Sequence, residues 1–260
     1  HGPHGPDGSH WARGAAPHDA GMAALPRPPA RPVLWRRVPA GRVLLFAPHP
    51  DDEVVGTGGI LLLHRQQQDP VHVVVATDGA LGDPEGRFAG QDLVAIRKAE
   101  SVRGLAEIDV HDCTFWGFPE GHELSGADVE RAVSAAVQEL RARNPDVVYL
   151  PWRLDGHPDH HTLHHIVALA LERVGFGGLA LGYEVWNPMV PDVIVDVSPV
   201  FERKRRAMHR HESQLSYVPY DHCIGGLNAF RALVHMRGNG YGEALSLVRG
   251  VLPSTLAENA

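Results

Sequence analysis

Residues 43–59 have the sequence VLLFAPHPDDEVVGTGG, in which a short apolar run gives way abruptly to a histidine and three acids. An apolar run of this kind predicts a parallel β-strand that is buried on both faces. In open α/β sheets, ligands bind in the crevice beyond the carboxyl ends of such strands. The polar residues that follow the run therefore predict a functional site at the end of the first core strand.

Three of these polar residues have the chemistry of a metal-dependent reaction. His49 and Asp52 are residue types that bind zinc, and their spacing allows them to share one divalent ion. Asp51 lies between them and remains free to exchange a proton. The segment thus predicts two metal ligands and one acid-base residue.

A second polar cluster follows another apolar segment, residues 146–152, and has the sequence DGHPDHHTLHH at residues 155–165. A catalytic zinc needs three protein ligands and an open position, so the second cluster is expected to supply the third ligand. By residue type alone, His157 and His160 are equally suited to that role. The two polar clusters are far apart in the chain, and we expect them to meet at one metal centre. A metal centre of this kind favours hydrolytic chemistry.

The rest of the chain alternates between apolar strands and amphipathic helices, which predicts an α/β fold. Residues 43–77 predict a right-handed βαβ unit whose helix begins at residue 56. The glycines in this helix do not follow the Gly-x-Gly-x-x-Gly pattern of dinucleotide-binding proteins. We instead expect Gly56, Gly58 and Gly59 to let the helix pack closely on its strand. We expect a Rossmann-like three-layer sandwich with a mostly parallel sheet and the site at its C-terminal strand ends. Further elements are predicted as helices at 92–106, 128–143, 162–174 and 201–208 and as strands at 71–77, 146–152, 179–186 and 192–197.

Length and composition limit the class of protein. A chain of 260 residues is long enough for one sizeable core, and its net charge of -7 argues against a nucleic-acid partner. Its two cysteines, Cys113 and Cys223, predict reduced thiols rather than a disulfide framework. We find no apolar run of about 18 residues and no secretion signal, so we expect no membrane span and a cytoplasmic location. The oligomeric state is left open.

The two ends of the chain differ from its middle. Residues 1–38 are rich in Pro, Gly, Ala and His without apolar periodicity, which predicts a flexible tail. Residues 39–260 are predicted to form a single domain. No motif follows residue 214, and residues 217–240 are expected to form loops and a helix that cap the pocket.

The APHPDDE segment at residues 47–53 and the HPDH segment at residues 157–160 together resemble the LmbE-like or PIG-L family of zinc-dependent de-N-acetylases. The resemblance extends over residues 43–214. It implies one Zn²⁺ per chain, held by His49, Asp52 and His160, with Asp51 as the base that takes a proton from the attacking water.

The resemblance also implies roles for residues beside the metal. His157 would stabilise the oxyanion, and Asp159 would orient His157 and keep it charged. In part of the family a tyrosine two residues before this histidine helps to polarise the carbonyl. This chain has Asp155 at that position, so the carbonyl would depend on the metal and His157 or on a further residue that the sequence does not identify.

Three further residues are predicted to contact substrate. By resemblance, Arg97 contacts substrate from an Arg-x-x-Glu helix, whereas the alternative is an exposed ion pair with Glu100. Trp116 belongs to an FWGF segment whose rings would either stack on a sugar or pack in the core. His164 lies one helical turn beyond His160, which places it on the same helix face.

The resemblance implies an amide hydrolase that removes the acetyl group from an N-acetylglucosaminyl unit of a small glycoconjugate. A composition rich in Arg, Ala, Gly and Pro fits a high-GC bacterial genome, and hence secondary-metabolite or thiol-cofactor biosynthesis. A glycopeptide antibiotic of the teicoplanin type is the favoured substrate. One alternative is an amidase acting on a thiol S-conjugate. Another is a non-catalytic sugar-binding protein with a structural metal, which loss of an acid at the first motif would favour.

Overall fold

The computed structural model describes residues 31–121 and 126–258. Its strands are β1 (Val33–Trp35), β2 (Val43–Ala47), β3 (Val71–Thr77), β4 (Asp112–Phe118), β5 (Val147–Pro151), β6 (Leu179–Tyr183), β7 (Val193–Asp196), β8 (Gly242–Arg249) and β9 (Ala257–Glu258). Its α-helices are α1 (Asp52–Gln66), α2 (Leu93–Glu107), α3 (Gly126–Arg143), α4 (Pro158–Arg173), α5 (Phe201–Met208), α6 (Glu212–Leu215) and α7 (Tyr220–Arg231).

The strands form one mixed sheet in the order β4-β3-β2-β5-β6-β8-β7-β1-β9. Neighbouring strands from β4 to β6 are parallel, as are β7 and β1. Strand β8 runs antiparallel to both β6 and β7, and β9 runs antiparallel to β1. The predicted α/β fold with a mostly parallel sheet is confirmed.

Helices cover both faces of the sheet, which gives the predicted three-layer sandwich. Successive residues of β2 point to opposite faces, so Leu45 packs in one core and Leu44 and Phe46 pack in the other. Residues from α1, α2 and α5 belong to the first core, and residues from α3 and α4 belong to the second. Gly56 lets α1 approach closely, since a Cβ there would lie 2.5 Å from the ring of Tyr183.

The first strand corrects one predicted boundary. Residues 33–35 form β1, and Trp35 is fully buried in the first core. The predicted flexible tail therefore cannot extend to residue 38, and residues from Arg31 onward form one compact unit. The remaining part of the predicted tail, residues 1–30, lies outside the described residues. Among the helices of the described residues, none is both long and apolar enough to cross a membrane.

The sheet order explains why two distant motifs meet. Strands β2 and β5 are parallel neighbours, with Val43 opposite Val147 and Leu45 opposite Tyr149. Their carboxyl ends consequently lie at the same edge of the sheet, and each is followed directly by one of the two polar clusters. This edge is where the sequence predicts the site.

Candidate metal centre and cleft

One side-chain atom from each of the three predicted ligands lies at this edge. Asp52 Oδ2 is 3.0 Å from His49 Nδ1 and 3.2 Å from His160 Nε2, and the two imidazole nitrogens are 3.3 Å apart. In a tetrahedral site with ligand atoms about 2.0–2.2 Å from the metal, neighbouring ligand atoms are separated by about 3.3 Å. The three atoms therefore already have the spacing that one cation requires, and all three residues are buried.

Each ligand is placed by a different local element. His49 follows β2, while Asp52 is the first residue of α1. His160 lies in the first turn of α4, which begins at Pro158 rather than at the predicted residue 162. Proline is favoured at the start of a helix, and His157 caps this one because its Nδ1 accepts the Asp159 N–H at 3.2 Å. The early helix start turns His160 towards β2.

A carboxylate contacts the second ring nitrogen of each predicted histidine ligand. Asp159 Oδ2 is 2.9 Å from His49 Nε2, and Asp155 Oδ1 is 3.3 Å from His160 Nδ1. Carboxylates at the second ring nitrogen of a metal-binding histidine fix its tautomer and orientation. This arrangement leaves His49 Nδ1 and His160 Nε2 to face the metal position.

The charges of the centre favour a cation. Burial by itself would lower the pKa of His49, but hydrogen bonds to Asp159 and Asp52 raise it to about 10. Burial would likewise lower the pKa of His160, but the charge of Asp52 and the contact with Asp155 raise it to about 9. The surrounding carboxylates thus stabilise positive charge at this position, and a metal ion that binds there would displace the protons of the two imidazoles.

His157 differs from its predicted arrangement. The carboxylate of Asp159 contacts His49, so His157 receives only a backbone N–H from Asp159. Burial and the neighbouring histidines lower the pKa of His157, because its ring lies 4.6 Å from that of His49 and 4.8 Å from that of His160. The prediction that Asp159 keeps His157 charged is therefore wrong. A neutral ring that accepts a hydrogen bond at Nδ1 carries its proton on Nε2, and is a donor there.

Ring nitrogens of His49, His157 and His160 lie within 4.8 Å of one another, so His157 stays an alternative ligand by distance. Its Nδ1, however, is occupied by the cap of α4. A second group that satisfies the same distance limit contains His49, Glu120 and Asp159. In that group His49 would bind through Nε2, the nitrogen that already contacts Asp159.

Asp51 is a buried carboxylate beside the metal position. The Tyr220 hydroxyl donates to Asp51 Oδ2 at 2.5 Å, and Arg97 Nη2 lies 3.4 Å from Asp51 Oδ1. Burial raises the pKa of Asp51 to about 6, with Arg97 and Tyr220 opposing a larger rise. A carboxylate with a pKa close to neutrality has the acid-base strength that proton transfer at neutral pH requires.

Arg97 lies in the wall of the cleft, as the substrate-contact prediction requires. Its guanidinium is buried, donates to Gly79 O at 2.9 Å, and lies 3.7 Å from Glu120 Oε2. Glu100 does not pair with it and instead accepts hydrogen bonds from Ser213. The alternative of an exposed Arg97–Glu100 ion pair is excluded.

The structure does not bring Trp116 or His164 to the cleft. The partly buried Trp116 ring lies 5.7 Å from that of Phe46, packs edge-on against Phe118, and lies against the second core. Buried His164 donates to Pro151 O at 2.7 Å and so ties α4 to the end of β5. Core packing and a structural hydrogen bond account for these two residues better than the predicted substrate contacts.

The metal position opens into a cleft of about 500 Å³. Tyr220 and Trp186 line the cleft although neither is predicted individually as a site residue, and Tyr220 lies in the segment 217–240 that is predicted to cap the pocket. Trp186 follows the carboxyl end of β6, so its position after a third core strand was a usable signal. Tyr220 carries no such signal, because it reaches Asp51 from a helix 169 residues farther along the chain.

The chain is similar to known deacetylases in sequence and in fold. The family model described as PIG-L, GlcNAc-PI de-N-acetylase, matches residues 44–171. Diacetylchitobiose deacetylase of Thermococcus kodakarensis is 30% identical over 81% of this chain and 84% of its own length. The 2'-N-acetylparomamine deacetylase of Streptomyces fradiae is 31% identical over 74% of this chain and 78% of its own. A solved deacetylase from the biosynthesis pathway of teicoplanin superposes with a TM-score of 0.64 at 17% identity, covering 79% of this chain and 97% of that one.

Proposed function

Because the chain belongs to the PIG-L family of de-N-acetylases, it is a deacetylase, and we propose that it uses one zinc ion to remove the acetyl group from an N-acetylglucosaminyl unit of a small glycoconjugate. The observation that carries the proposal is the convergence of His49, Asp52 and His160 within 3.3 Å of one another. Asp51 lies in the same cleft and supplies the acid-base group.

The donor set suits zinc better than a harder cation. Two imidazole nitrogens and one carboxylate oxygen are a catalytic zinc set, whereas magnesium and calcium prefer oxygen ligands alone. His49, Asp52 and His160 would hold the ion, and a catalytic zinc with three protein ligands would keep a further position for water or substrate. When bound there, zinc supplies a Lewis acid that polarises the acetamide carbonyl and makes water more acidic.

Asp51 is proposed to take the proton from the attacking water and later to return it to the leaving amine. Tyr220 holds one oxygen of this carboxylate, and Arg97 lies on the side of the other. With its pKa raised to about 6, Asp51 is largely ionised at neutral pH and still basic enough to accept a proton. The same carboxylate, once protonated, is acidic enough to donate to the amine as the C–N bond breaks.

His157 is proposed to donate from Nε2 to the carbonyl oxygen as negative charge develops there. Its cap on α4 fixes the tautomer, and the lowered pKa keeps the ring neutral. A fixed neutral donor stabilises an oxyanion without reorganisation of the site. Asp155, which stands where part of the family has a tyrosine, is buried behind His160 and is proposed to orient that ligand.

The predicted substrate is a glycopeptide antibiotic of the teicoplanin type, and we propose the wider class of small natural products that carry an N-acetylated amino sugar. The relative from Streptomyces fradiae, named as a 2'-N-acetylparomamine deacetylase, supports this proposal. The teicoplanin-pathway deacetylase supports it only through a shared fold, because its sequence is 17% identical. The cytoplasmic location stays a prediction.

The test is release of free amine from a panel of acetylated substrates. The panel contains N,N'-diacetylchitobiose, 2'-N-acetylparomamine, an N-acetylglucosaminyl glycopeptide and a thiol S-conjugate. We expect amine release that a chelator abolishes and that added Zn²⁺ restores. Release from the S-conjugate alone would establish the amidase alternative. If the protein binds zinc but releases no amine from any substrate, the sugar-binding alternative is favoured.

A further inference from the structure

Glu53 is a buried acid that the mechanism proposed above does not use. It follows Asp52 in the first turn of α1, and its side chain is fully buried. Its Oε2 accepts the backbone N–H of Asp51 at 2.9 Å, and its Oε1 accepts the Ser101 hydroxyl at 2.5 Å. Burying a carboxyl group is costly unless its oxygens are hydrogen-bonded. Both oxygens of Glu53 are bonded, so its side chain is held in one place.

The bond from Glu53 takes the place of a helix cap that Asp51 does not make. Asp51 occupies the N-cap position of α1, where an aspartate side chain usually accepts an N–H of the first turn. The Asp51 side chain makes no such bond, and its carboxylate contacts Tyr220 and Arg97 instead. Glu53 reaches back to the N–H of the N-cap residue, as the acid of a capping box does. The start of α1 thus leaves the Asp51 carboxylate available to the cleft.

The backbone of Asp51 has an unusual conformation. Its φ of 157° and ψ of -30° lie outside the helical and extended regions. A residue keeps such a conformation only when the surrounding structure holds it. The Asp51 N–H also donates to His49 O at 3.0 Å, and Asp51 O accepts the N–H groups of residues 54 and 55. Glu53 adds a side-chain contact to these backbone bonds.

Helix α2 reaches Asp51 by two routes. Arg97 Nη2 lies 3.4 Å from Asp51 Oδ1. Ser101, four residues farther along, bonds Glu53, which in turn bonds the Asp51 N–H. Residues four apart lie on the same face of a helix. One face of α2 therefore contacts the carboxylate of Asp51 directly and its backbone through Glu53.

On the basis of the proposed deacetylase function, we propose that Glu53 is a positioning residue that holds the backbone of Asp51 so that the carboxylate of the base faces the metal position. Ser101 fixes Glu53 in turn. An ionised carboxylate, a protonated one and the amide of glutamine each offer an oxygen that accepts the Asp51 N–H. The contact is therefore made whatever proton Glu53 carries beside the metal ion.

The test is steady-state kinetics of amine release at saturating Zn²⁺, using the substrate of the panel that reacts fastest. Misplacing a catalytic group by about 1 Å can cost about a hundredfold, so Glu53→Ala is expected to lower kcat roughly ten- to hundredfold. KM and zinc content are expected to change little. Glu53→Gln, which keeps the oxygen, is expected to retain kcat within about threefold of the wild type. A residue that only caps α1 would change the free energy of unfolding in urea and leave kcat unchanged.

Two buried hydroxyl groups provide a matched pair of variants that keep Glu53. Both are fully buried and both donate to Glu53, Ser101 to its side chain and Thr57 to its backbone oxygen at 2.8 Å. Each loses one buried hydrogen bond in Ser101→Ala and Thr57→Val, so both variants are expected to lose stability. Only Ser101→Ala is expected to lower kcat, by roughly three- to tenfold, whereas Thr57→Val keeps it within about twofold.

The outcomes separate this inference from the function on which it rests. The positioning role is overturned if Glu53→Ala and Ser101→Ala both keep kcat within about twofold of the wild type. It is also overturned if Glu53→Gln loses as much kcat as Glu53→Ala, because the bond to the Asp51 N–H is then not what matters. If Glu53→Ala does not fold, the difference between Ser101→Ala and Thr57→Val decides. Absence of amine release by the zinc-loaded wild type would overturn the deacetylase function itself.

Discussion

Replacing Tyr220 with phenylalanine tests how the base is held. The substitution removes one hydroxyl, which donates to Asp51 Oδ2 at 2.5 Å from a side chain only 7% exposed. Hydrogen bonds to charged groups contribute about 1.5–3 kcal/mol. Because Asp51 loses its charge as it accepts the proton, the hydroxyl contributes to the reaction by holding the carboxylate in position, and a misplaced base is expected to lower kcat/KM by roughly ten- to hundredfold. The zinc content is expected to stay unchanged because none of the three proposed ligands is altered.

The pH dependence of the same variant has a definite direction. The Tyr220 hydroxyl lowers the pKa of Asp51, which burial has raised to about 6. Removing the hydroxyl therefore raises this pKa further. Asp51 acts as a base only when ionised, so activity on the acidic side is lost at a higher pH than in the wild type. Initial rates of amine release across the pH range, with zinc content measured in parallel, report both effects.

Tyr217→Phe is the matched control, because the Tyr217 hydroxyl donates to Asp83 and Tyr217 does not line the cleft. We expect this control to retain the activity and pH profile of the wild type. The role given to Tyr220 would be refuted if the Tyr220→Phe variant kept kcat/KM within about twofold of the wild type and lost activity at the same acidic pH.

Three other substitutions separate chemistry, metal binding and stability. Asp51→Asn should keep its zinc and lose about a hundredfold or more in turnover, and normal turnover would exclude Asp51 as the base. Asp155→Asn removes the carboxylate behind His160 and should weaken zinc binding about ten- to hundredfold in a chelator competition; an unchanged Kd would argue against that role. Lys204→Met breaks a fully buried ion pair with Glu243, 2.7 Å long, and should cost about 3–5 kcal/mol in urea unfolding. A loss below about 1 kcal/mol there would mean that the buried carboxylate finds another partner.

That the two motifs meet at one metal centre was predictable from the sequence. It shows both the ligand residues and the apolar strands that place them. His49 and His160 have metal-ligand chemistry, and each follows an apolar strand. Carboxyl ends of neighbouring parallel strands share an edge of the sheet, so chemistry and topology point to the same place. The structure adds that β2 and β5 are direct neighbours, which the sequence leaves open.

The partners of these residues were less predictable because they depend on contacts between distant elements. Asp159 is two residues from His157, yet its carboxylate contacts His49, which is 110 residues away in sequence. The cause is local: His157 caps α4, although histidine is not among the preferred capping residues. The role that the family resemblance implies for Asp159 therefore falls on the wrong histidine.

The ends of the fold were missed for a similar reason. Residues 33–35 make only a three-residue strand inside a proline-rich segment, and their burial depends on pairing with β7. Strand β8 lies between β6 and β7 and is antiparallel to both, an arrangement that no local pattern in residues 242–249 specifies. Periodicity predicts that an element exists, whereas its partner is decided by the rest of the sheet.

The central claim is that one zinc ion is shared by His49, Asp52 and His160. Anomalous diffraction at the zinc edge from crystals of the zinc-loaded protein tests it most directly. We expect a single peak about 2.0–2.2 Å from His49 Nδ1, Asp52 Oδ2 and His160 Nε2. A peak bound instead by His49 Nε2 with Glu120 and Asp159, or none at this edge of the sheet, would contradict the claim.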